Sequence, residues 1–368
     1  MTQVKQINWK TLVNWIDEKK SITILDIRPQ NERDEWYIPE SQYHNAYEKL
    51  KTGDFDALND FEFDQRTPII TICAKGRLSL FAAEILANKG AEVYSLEGGM
   101  NAWNSAYDTQ EIDFDHCKII QVRRIAKGCL SYVIGSGTEA LVVDSSLDPL
   151  IYKEIADKEN WTIKFVTDTH IHADYVSRTL ELTNETSAKH FFHSNAKVSY
   201  PFTAIHENEI IKLGNVNIRV LFTPGHTFES TSYIIDDKAI LTGDTLFIDG
   251  VGRPDLKAEN DQVFLKSKLL YESLQKIMKL EGEILVMPAH TSKPIFIGEA
   301  FINEKLEHLK EKIPSLKLEE SAFIETLISK LPQTPPNYLT IAEINKTGNY
   351  EGYSLTELEA GANRCGVS

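Results

Sequence analysis

The chain has 368 residues, which is enough for two ordinary domains or one large one. Its composition, 42% hydrophobic and 25% charged residues, is that of a globular protein. The formal net charge of −15 disfavours nucleic acid and anionic membranes as partners, because both attract basic surfaces. We therefore expect an anionic substrate to be attracted by a local positive feature, such as a metal ion, an arginine or a helix N-terminus.

The sequence gives no signal for export or membrane insertion. Residues 1–10 have no apolar stretch of the signal-peptide kind, and no uncharged apolar run has the length of a bilayer span. The cysteines Cys73, Cys117, Cys129 and Cys365 are too few and too widely spaced for a disulfide framework. We expect a cytoplasmic protein that keeps at least one thiol for chemistry.

The first part of the chain alternates short strands with helices. Strands are predicted over residues 21–26, 68–73 and 91–96. The spacing of apolar residues predicts a helix over 78–89, between the last two strands. Strand, helix and strand at this length imply a right-handed crossover and a parallel sheet. A polar stretch, 105–115, is predicted to be the linker.

Cys73 follows the second of these strands and precedes the helix. In such a loop, backbone N–H groups and the positive end of the helix point at the sulfur and stabilise its thiolate form. Lys75 and Arg77 add positive charge. The alternative is a buried cysteine that ends a core strand, a common role for this residue. The loop glycine and the two cations favour a reactive thiol.

The second part of the chain begins with strands in adjacent pairs. Residues 118–122, 130–134 and 140–144 are predicted to form an antiparallel meander. Later strands alternate with helices such as 263–280, and the C-terminal residues are predicted to form a cap. The predicted elements of this cap are helices near 300–312 and 319–331 and a proline-rich turn at 332–336.

Four predicted strands of the second part end just before a histidine or an aspartate. These residues are His170, His226, Asp244 and His290, and the first opens the dense pattern His170-x-His172-x-Asp174. A single histidine after a strand is usually a surface residue, but four strands that each end before a histidine or an aspartate are improbable by chance. If the strands lie in packed sheets, their ends meet at one rim and their side chains converge on a metal.

The segments that carry these residues resemble the motif set of the metallo-β-lactamase superfamily. They are His-Ile-His-Ala-Asp at 170–174, Gly-His-Thr at 225–227, Gly-Asp-Thr at 243–245 and Pro-Ala-His at 288–290. The resemblance covers most of residues 112–368. It implies an α/β protein of two domains, in which residues 112–368 form a four-layered αββα sandwich with the metal at one end of the two sheets.

One position departs from the pattern of the superfamily's hydrolases. Those enzymes carry a second-metal histidine where this chain has Tyr175. A tyrosine binds a metal less readily near neutral pH, because the phenol pKa is about 10. The resemblance therefore implies that His172, Asp174, Tyr175 and His290 are remnants of a second metal site, or contact the substrate or the ligands of the first.

The sequence also resembles the persulfide dioxygenases, or sulfur dioxygenases, of this superfamily. That resemblance implies a single Fe(II) held by His170, His226 and Asp244, although zinc suits the same ligands. Two imidazoles and a carboxylate on one face of iron leave positions open for a thiol persulfide and O2, as in non-heme oxygenases.

Two further segments are similar to those of the persulfide dioxygenases. In residues 243–255, Arg253 is expected to attract an anionic thiol substrate, and the alternative is a structural ion pair with Asp249 or Asp255. Residues 362–366 are similar to the C-terminal segment that folds back near the active site. This likeness implies that Cys365 approaches the substrate, although a lone cysteine near a terminus is more often exposed.

Residues 1–108 resemble a rhodanese (sulfurtransferase) domain. The resemblance is carried by Asp-Ile-Arg-Pro at 26–29, Glu-Trp-Tyr-Ile-Pro at 35–39, the Cys73 loop and the segment 96–103. It implies that Cys73 carries sulfane sulfur as a persulfide, with Lys75 and Arg77 beside the substrate. Leu78 stands where the family loop usually has arginine, which leaves the preference for thiosulfate open.

Together the resemblances imply a persulfide dioxygenase fused to a sulfurtransferase. Such an enzyme oxidises a low-molecular-weight thiol persulfide, such as glutathione persulfide, with O2 to sulfite and thiol in sulfide detoxification. Sulfite or thiosulfate would bind at the rhodanese site.

Two alternatives stay open. One is a zinc thioesterase of the glyoxalase II type, which Tyr175 disfavours. The other is a non-catalytic sulfur-relay protein. The carrier thiol, the direction of sulfur flow and the oligomeric state, a homo-oligomer included, are not determined by the sequence.

Overall fold

The computed structural model of the protein describes residues 4–256, 260–291, 293, 295–334, 337–359 and 365–367. Within these ranges, no helix is both long and apolar enough to cross a membrane. The strands are β1 (Lys5–Ile7), β2 (Thr23–Asp26), β3 (Gln42–Tyr43), β4 (Ile69–Ile72), β5 (Val93–Leu96), β6 (Tyr107–Phe114), β7 (Cys117–Arg124), β8 (Cys129–Ser136), β9 (Glu139–Val143), β10 (Thr162–Thr167), β11 (Lys189–His193), β12 (Thr203–Ile205), β13 (Ile210–Leu213), β14 (Val216–Phe222), β15 (Thr231–Ile235), β16 (Ala239–Gly243), β17 (Val251–Gly252), β18 (Leu285–Pro288), β19 (Glu304–Lys305) and β20 (Gly366–Val367). The helices are α1 (Trp9–Asp17), α2 (Gln30–Glu35), α3 (Tyr47–Lys51), α4 (Arg77–Asn88), α5 (Gly99–Trp103), α6 (Pro149–Lys158), α7 (Thr179–Thr186), α8 (Asn260–Met278), α9 (Leu306–Lys312), α10 (Glu320–Ser329), α11 (Tyr338–Thr347) and α12 (Leu355–Leu358), and a 3-10 turn covers Pro314–Lys317.

The N-terminal sheet has the order β1-β5-β4-β2-β3, and its strands pair in parallel. The strands predicted over 21–26, 68–73 and 91–96 are β2, β4 and β5, and the helix predicted over 78–89 is α4. Every residue of β4 is buried, because both faces of a parallel sheet are covered. Ile69 packs toward α4, and its neighbour Ile70 packs on the opposite face.

The predicted linker is wrong, because its residues form a strand. β6 pairs antiparallel with β7 along its whole length, from Tyr107 opposite Arg124 to Phe114 opposite Cys117. β6 is the last strand of its sheet, and its burial alternates between half-buried and exposed residues. The polar residues of an edge strand resemble a linker in composition. The chain therefore passes from the first domain directly into the sheet of the second.

The second domain contains two large sheets and the small pair β17 and β20, and the predicted meander is confirmed as β7, β8 and β9. The sheet orders are β12-β11-β10-β9-β8-β7-β6 and β13-β14-β15-β16-β18-β19. Val143 of the first sheet packs between the two sheets against residues such as Val220, whereas its neighbour Val142 faces α6 and α7. Helices α8, α9 and α10 cover the other sheet. The layers are those of the expected αββα sandwich.

The helix predicted near 300–312 begins later than expected. Residues 304–305 form β19, and α9 starts at Leu306. Buried side chains of β7 bind the preceding backbone: Arg123 donates to the carbonyls of Glu299 and Ala300, and Gln121 pairs with Ile302 in both directions at 2.9 Å. These contacts hold the segment extended. The helix predicted over 319–331 is α10, and part of the proline-rich turn at 332–336 lies outside the described residues.

The guanidinium of Arg123 is fully buried and pairs with Asp108 of the edge strand β6. The Asp108→Ala variant leaves this cation buried without its carboxylate, so we expect the free energy of unfolding to fall by about 3 kcal/mol. Urea denaturation followed by circular dichroism measures the change. The matched control is Asp115→Ala, which breaks the exposed pair with Lys238 and should leave stability unchanged. Equal losses in both variants would contradict the structural role of the buried pair.

Candidate metal centre

Three strand ends bring His170, His226 and Asp244 together, as the sequence predicts. The residues follow β10, β14 and β16, and each is about 1% exposed. The Nε2 atoms of His170 and His226 lie 3.7 and 3.5 Å from Oδ2 of Asp244. We call these three residues the first cluster. Their ligand atoms all lie within 4.8 Å of one another, which is the spacing of donors around one ion.

The second polar atom of each side chain in the first cluster is already bound. His170 Nδ1 lies 2.9 Å from the hydroxyl of Thr169, and that hydroxyl donates its own proton to Asp144. His226 Nδ1 donates to the carbonyl of Arg253 at 2.8 Å. Asp244 Oδ1 contacts His290 Nδ1 at 2.5 Å. Such contacts fix the ring tautomers and turn the remaining atoms toward one point.

These remaining atoms fit a metal ion. Among the described residues, His170 Nε2 and Asp244 Oδ2 are buried and have no hydrogen-bond partner, which is costly unless something binds them. Burial lowers the pKa of His226 to about 4 and that of His170 well below its usual value. Both rings are therefore neutral near neutral pH, the form in which imidazole binds a metal.

His172 stands beside the first cluster, with its ring centroid 4.2 Å from that of His170. Its Nε2 is bound by Asp144 at 3.1 Å and by the hydroxyl of Tyr175 at 2.9 Å. Its Nδ1 is buried and, in the described part of the chain, has no hydrogen-bond partner. The ligand atoms of His172, Asp144 and Asp168 lie within 4.8 Å of one another, so His172 belongs to a group of its own beside the first cluster.

Two of the residues predicted as remnants of a second metal site, Asp174 and His290, lie in contact, and we call them the second cluster. His290 Nε2 lies 2.9 Å from Asp174 Oδ2, while its Nδ1 contacts Asp244. Although burial opposes it, the two carboxylates raise the pKa of His290 well above its usual value. Burial, together with nearby carboxylates such as Asp144, raises the pKa of Tyr175, whose hydroxyl turns to His172. A neutral phenol in this position is a poor metal ligand.

Cys129 also belongs to this second cluster, although its position there was not predicted from the sequence. Its sulfur lies 3.4 Å from Asp174 Oδ2, and the cysteine is 1% exposed. The residue opens β8 behind Gly128, far along the chain from Asp174 and His290. A contact between residues so far apart in the sequence, such as Cys129 and Asp174, cannot be predicted from a motif or from local spacing.

A cavity of about 450 Å³ opens beside His226. Most of its wall was not predicted from the sequence, and part of this wall comes from helix α11. Apolar lining residues are Ile171, Ala173, Phe228, Leu256, Tyr338, Leu339 and Ala342. Polar lining residues are Asn195, Lys197, Thr227, Glu229, Lys266 and Lys346. Three ammonium groups around one cavity are a local positive feature in a chain of net charge −15.

Arg253 makes the structural ion pair that the sequence left as the alternative to substrate binding. Its guanidinium is buried and binds both carboxylate oxygens of Asp255 at 2.7 Å. It also donates to the carbonyl of Pro332 and the hydroxyl of Thr334. Its backbone carbonyl is what orients His226. Arg253 therefore helps to hold the ring of His226 in the first cluster.

Cys365 is 1% exposed, and its sulfur lies within 4.8 Å of ligand atoms of Asp244 and His290. Its carbonyl accepts a hydrogen bond from the N–H of Arg253, and the residues after it pair as β20 with β17. The cysteine thus lies beside the first cluster, and its contact with a substrate stays a prediction. Residues 362–364 of the same predicted segment lie outside the described residues.

The thiol of Cys73 lies between β4 and α4, as predicted, and is 4% exposed. Its sulfur accepts a hydrogen bond from the N–H of Gly76 at 3.1 Å and lies 3.4 Å from the hydroxyl of Ser79. Gly76 has a φ of +82°, and a side chain there would collide with the backbone of Gly98. The loop therefore depends on glycine.

The two cations of the thiol loop lie at its surface. Arg77 is exposed in the first turn of α4. Lys75 is exposed and pairs at 3.0 Å with Glu357 of the second domain. Leu78 follows Arg77 in α4 and is half-buried, packed against the apolar core behind the loop. The loop therefore faces the boundary between the two domains.

Comparisons with known proteins agree with this two-domain structure. Residues 8–106 match the rhodanese-like domain family, and residues 124–290 match the metallo-β-lactamase superfamily. The hydroxyacylglutathione hydrolase of Rhodopseudomonas palustris is 28% identical over 56% of this chain and 80% of its own length. That of Francisella tularensis subsp. novicida is 30% identical over 43% of this chain. The chain spans 61% of the Francisella relative's length.

Two solved structures share the fold. A metallo-β-lactamase from Staphylococcus aureus superposes with a TM-score of 0.56 at 27% identity, over 68% of this chain and 75% of its own. ETHE1 from Myxococcus xanthus superposes with a TM-score of 0.54 at 24% identity, over 66% of this chain and 99% of its own. The chain therefore consists of a rhodanese-like domain followed by a domain of the metallo-β-lactamase superfamily.

Proposed function

We propose that this protein is an iron-dependent persulfide dioxygenase with a fused sulfurtransferase domain. The observation that supports the proposal is that one chain contains two sites suited to sulfur chemistry. One is a thiol held by backbone N–H in a rhodanese-like loop, and the other is a buried set of two imidazoles and one carboxylate beside an open cavity. Together they suit chemistry on sulfane sulfur.

The proposed reaction converts a thiol persulfide, O2 and water into a thiol and sulfite. The bond between the two sulfur atoms breaks, the terminal sulfur is oxidised and O2 is reduced, so no further oxidant is needed. Iron held by His170, His226 and Asp244 would supply open coordination positions for the terminal sulfur and O2. Bringing both reactants to one ion makes their reaction intramolecular.

The protein's own side chains would hold this site in one geometry. Thr169 and the carbonyl of Arg253 keep the rings of His170 and His226 turned toward the ion. His290 holds one oxygen of Asp244 and leaves the other free for the ion. Fixing ligands through their outer atoms lowers the cost of reorganisation when substrate binds.

The cavity supports an anionic thiol as the carrier of the persulfide. Its apolar wall suits the carbon chain of the carrier, and its three lysines suit carboxylates. Lys266 is 4% exposed, with its Nζ 3.1 Å from the carbonyl of Leu256 and 5.9 Å from the ring of Phe228. A substrate carboxylate could approach the remaining protons of this ammonium group. Glutathione persulfide has this chemistry.

The rhodanese-like domain would move sulfane sulfur through Cys73. Its loop lies at the domain boundary, because Lys75 is paired with Glu357. In this role Cys73 would either supply sulfur to the metal domain or transfer it to sulfite to give thiosulfate.

A hydrolase of hydroxyacylglutathione is the second candidate, because the relatives named above carry that name. Tyr175 disfavours it, because its hydroxyl is bound to His172 and leaves the second cluster without the usual histidine. Both candidate reactions release glutathione as a thiol. The dioxygenase reaction requires O2, whereas the hydrolase reaction requires only water.

Two variants should separate the two activities. Protein loaded with Fe(II) under anaerobic conditions should consume O2 when given glutathione persulfide, measured with an oxygen electrode. Asp244→Ala should lose both the iron and the oxygen uptake, because it removes a ligand. Cys73→Ser should retain both and lose transfer of sulfane sulfur to sulfite. Absence of oxygen uptake by the iron-loaded wild type would rule out the dioxygenase.

The pH dependence should report on Lys266. Burial lowers the pKa of Lys266 to about 8, so its positive charge is present below that pH and is lost above it. We expect kcat/KM for glutathione persulfide to fall above about pH 8 in the wild type. Lys266→Met should raise KM about tenfold at pH 7, the loss of one charged hydrogen bond, and should remove this decline. A Lys266→Met profile parallel to that of the wild type would contradict the assignment.

The hydrolase alternative has its own test. The zinc-loaded protein should hydrolyse S-lactoylglutathione slowly or not at all, because Tyr175 has replaced a metal ligand. Tyr175→His restores that ligand, and we expect any hydrolysis to increase in this variant. Efficient hydrolysis by the zinc-loaded wild type, with no oxygen uptake by the iron-loaded form, would establish the hydrolase instead.

A further inference from the structure

Helix α11 lies along the segment that follows His170, residues 171–177, which we call the metal loop. Four buried residues of the helix recur at intervals of three and four and so share one face. They are Tyr338, Ile341, Ala342 and Asn345. Asn345 is the amide on this face, and it is 7% exposed. A buried amide requires hydrogen-bond partners, because leaving it unpaired is costly.

The partners of the Asn345 side chain are three backbone groups of the metal loop. Its amide nitrogen donates to the carbonyls of His172 at 2.8 Å and Tyr175 at 2.7 Å. Its amide oxygen accepts a hydrogen bond from the N–H of Ser177 at 2.9 Å. Both amide protons and the amide oxygen are thus used. One side chain therefore fixes the path of a loop that lies 168 to 173 positions earlier in the chain.

We propose that Asn345 is a positioning residue of the metal centre and that it acts through His172. The rings of His172 and Tyr175 are stacked with their centroids 4.3 Å apart, and the Tyr175 hydroxyl lies 2.9 Å from His172 Nε2. The ring centroid of His172 is also 4.2 Å from that of His170, a residue of the first cluster. Because Asn345 binds the carbonyls of both stacked residues, it fixes the pair against which the ring of His170 packs.

The same contacts align the metal loop with the cavity. Ile171 and Ala173 of the loop belong to one buried apolar cluster with Tyr338 and Ala342 of α11. All four residues also line the cavity of about 450 Å³. Loop and helix therefore form one continuous wall, and the hydrogen bonds of Asn345 fix the position of the helix along the loop. A shift between them would move the first cluster relative to the substrate proposed for this cavity.

Apolar packing alone does not define this alignment. Val176 of the loop forms a buried apolar cluster with Ile341 and Ile344 of α11. Apolar contacts are non-directional, whereas hydrogen bonds depend steeply on distance and angle. Replacing Asn345 should therefore leave the helix packed on the loop and loosen the alignment of the two. This inference requires that the first cluster bind a metal ion, as proposed above, and it holds for either candidate reaction.

Cobalt(II) can report on this role, because its visible absorption depends on the geometry of its ligands. The full-length protein, freed of metal and shown to be folded by circular dichroism, is titrated with Co²⁺. Asn345→Asp conserves the size of the side chain but places an oxygen against the two carbonyls. We expect a changed visible spectrum and Co²⁺ binding at least about tenfold weaker than in the wild type. Asn345→Ser introduces no charge, should show the same change and tests the role if Asn345→Asp fails to fold.

The matched control is Ser136→Ala. Ser136 is 2% exposed, and its hydroxyl donates to the carbonyl of His116 and accepts a hydrogen bond from the N–H of Asn215. Like Asn345 it binds the backbone of distant segments, but it ends β8, whose first residue is Cys129 of the second cluster. We expect this variant to lose stability toward unfolding and to keep the spectrum and the cobalt affinity of the wild type.

Tyr175→Phe tests the route through His172, because it removes the hydroxyl that binds His172 and leaves the backbone partners of Asn345 in place. If Asn345 acts through His172, the losses of cobalt affinity in Asn345→Ser and Tyr175→Phe should be less than additive in the double variant. Additive losses would overturn that route. A wild-type spectrum and affinity in the folded Asn345 variants, or an equal change in Ser136→Ala, would overturn the positioning role. A wild type that binds no cobalt would refute the metal centre and this inference with it.

Discussion

The structure around the metal centre depends on one constraint: each side chain of the first cluster has its outer polar atom bound before an ion arrives. Thr169 and the carbonyl of Arg253 hold the two rings, and His290 holds one oxygen of Asp244. Because these partners are themselves buried, rotation away from the cluster would leave polar atoms unpaired. The site is therefore built by the surrounding network, and an ion would complete it.

A second buried network, centred on Glu359, connects the two domains. Glu359, just beyond α12, binds the N–H of Val176 in the metal loop with one carboxylate oxygen. Its other oxygen pairs with Arg124, whose Nε donates to the carbonyl of Asn104 in the rhodanese-like domain. The carbonyl of Glu359 binds Lys127, two residues before Cys129. One buried residue thus joins the loop of Val176, the turn of Lys127 before β8, and the rhodanese-like domain.

The distribution of charge makes an acidic protein compatible with the anionic substrate proposed above. The net charge of −15 is spread over the chain, whereas Lys197, Lys266 and Lys346 line one cavity beside His226. The predicted cation, Arg253, is instead neutralised by Asp255. The local potential in a cavity with low-dielectric walls depends on the nearest charges more than on the total, because such walls limit screening.

From the sequence we could predict the two domains, the strand ends that carry His170, His226 and Asp244, and the loop position of Cys73. These features are periodic or local, and strand ends in packed sheets meet at one rim. The contacts between distant segments became visible in the tertiary structure. It placed Cys129 beside His290, paired Arg253 with Asp255, made the expected linker an edge strand and brought α11 to the cavity. Such contacts leave no periodic pattern in the sequence from which they could be predicted, because they depend on how the layers pack.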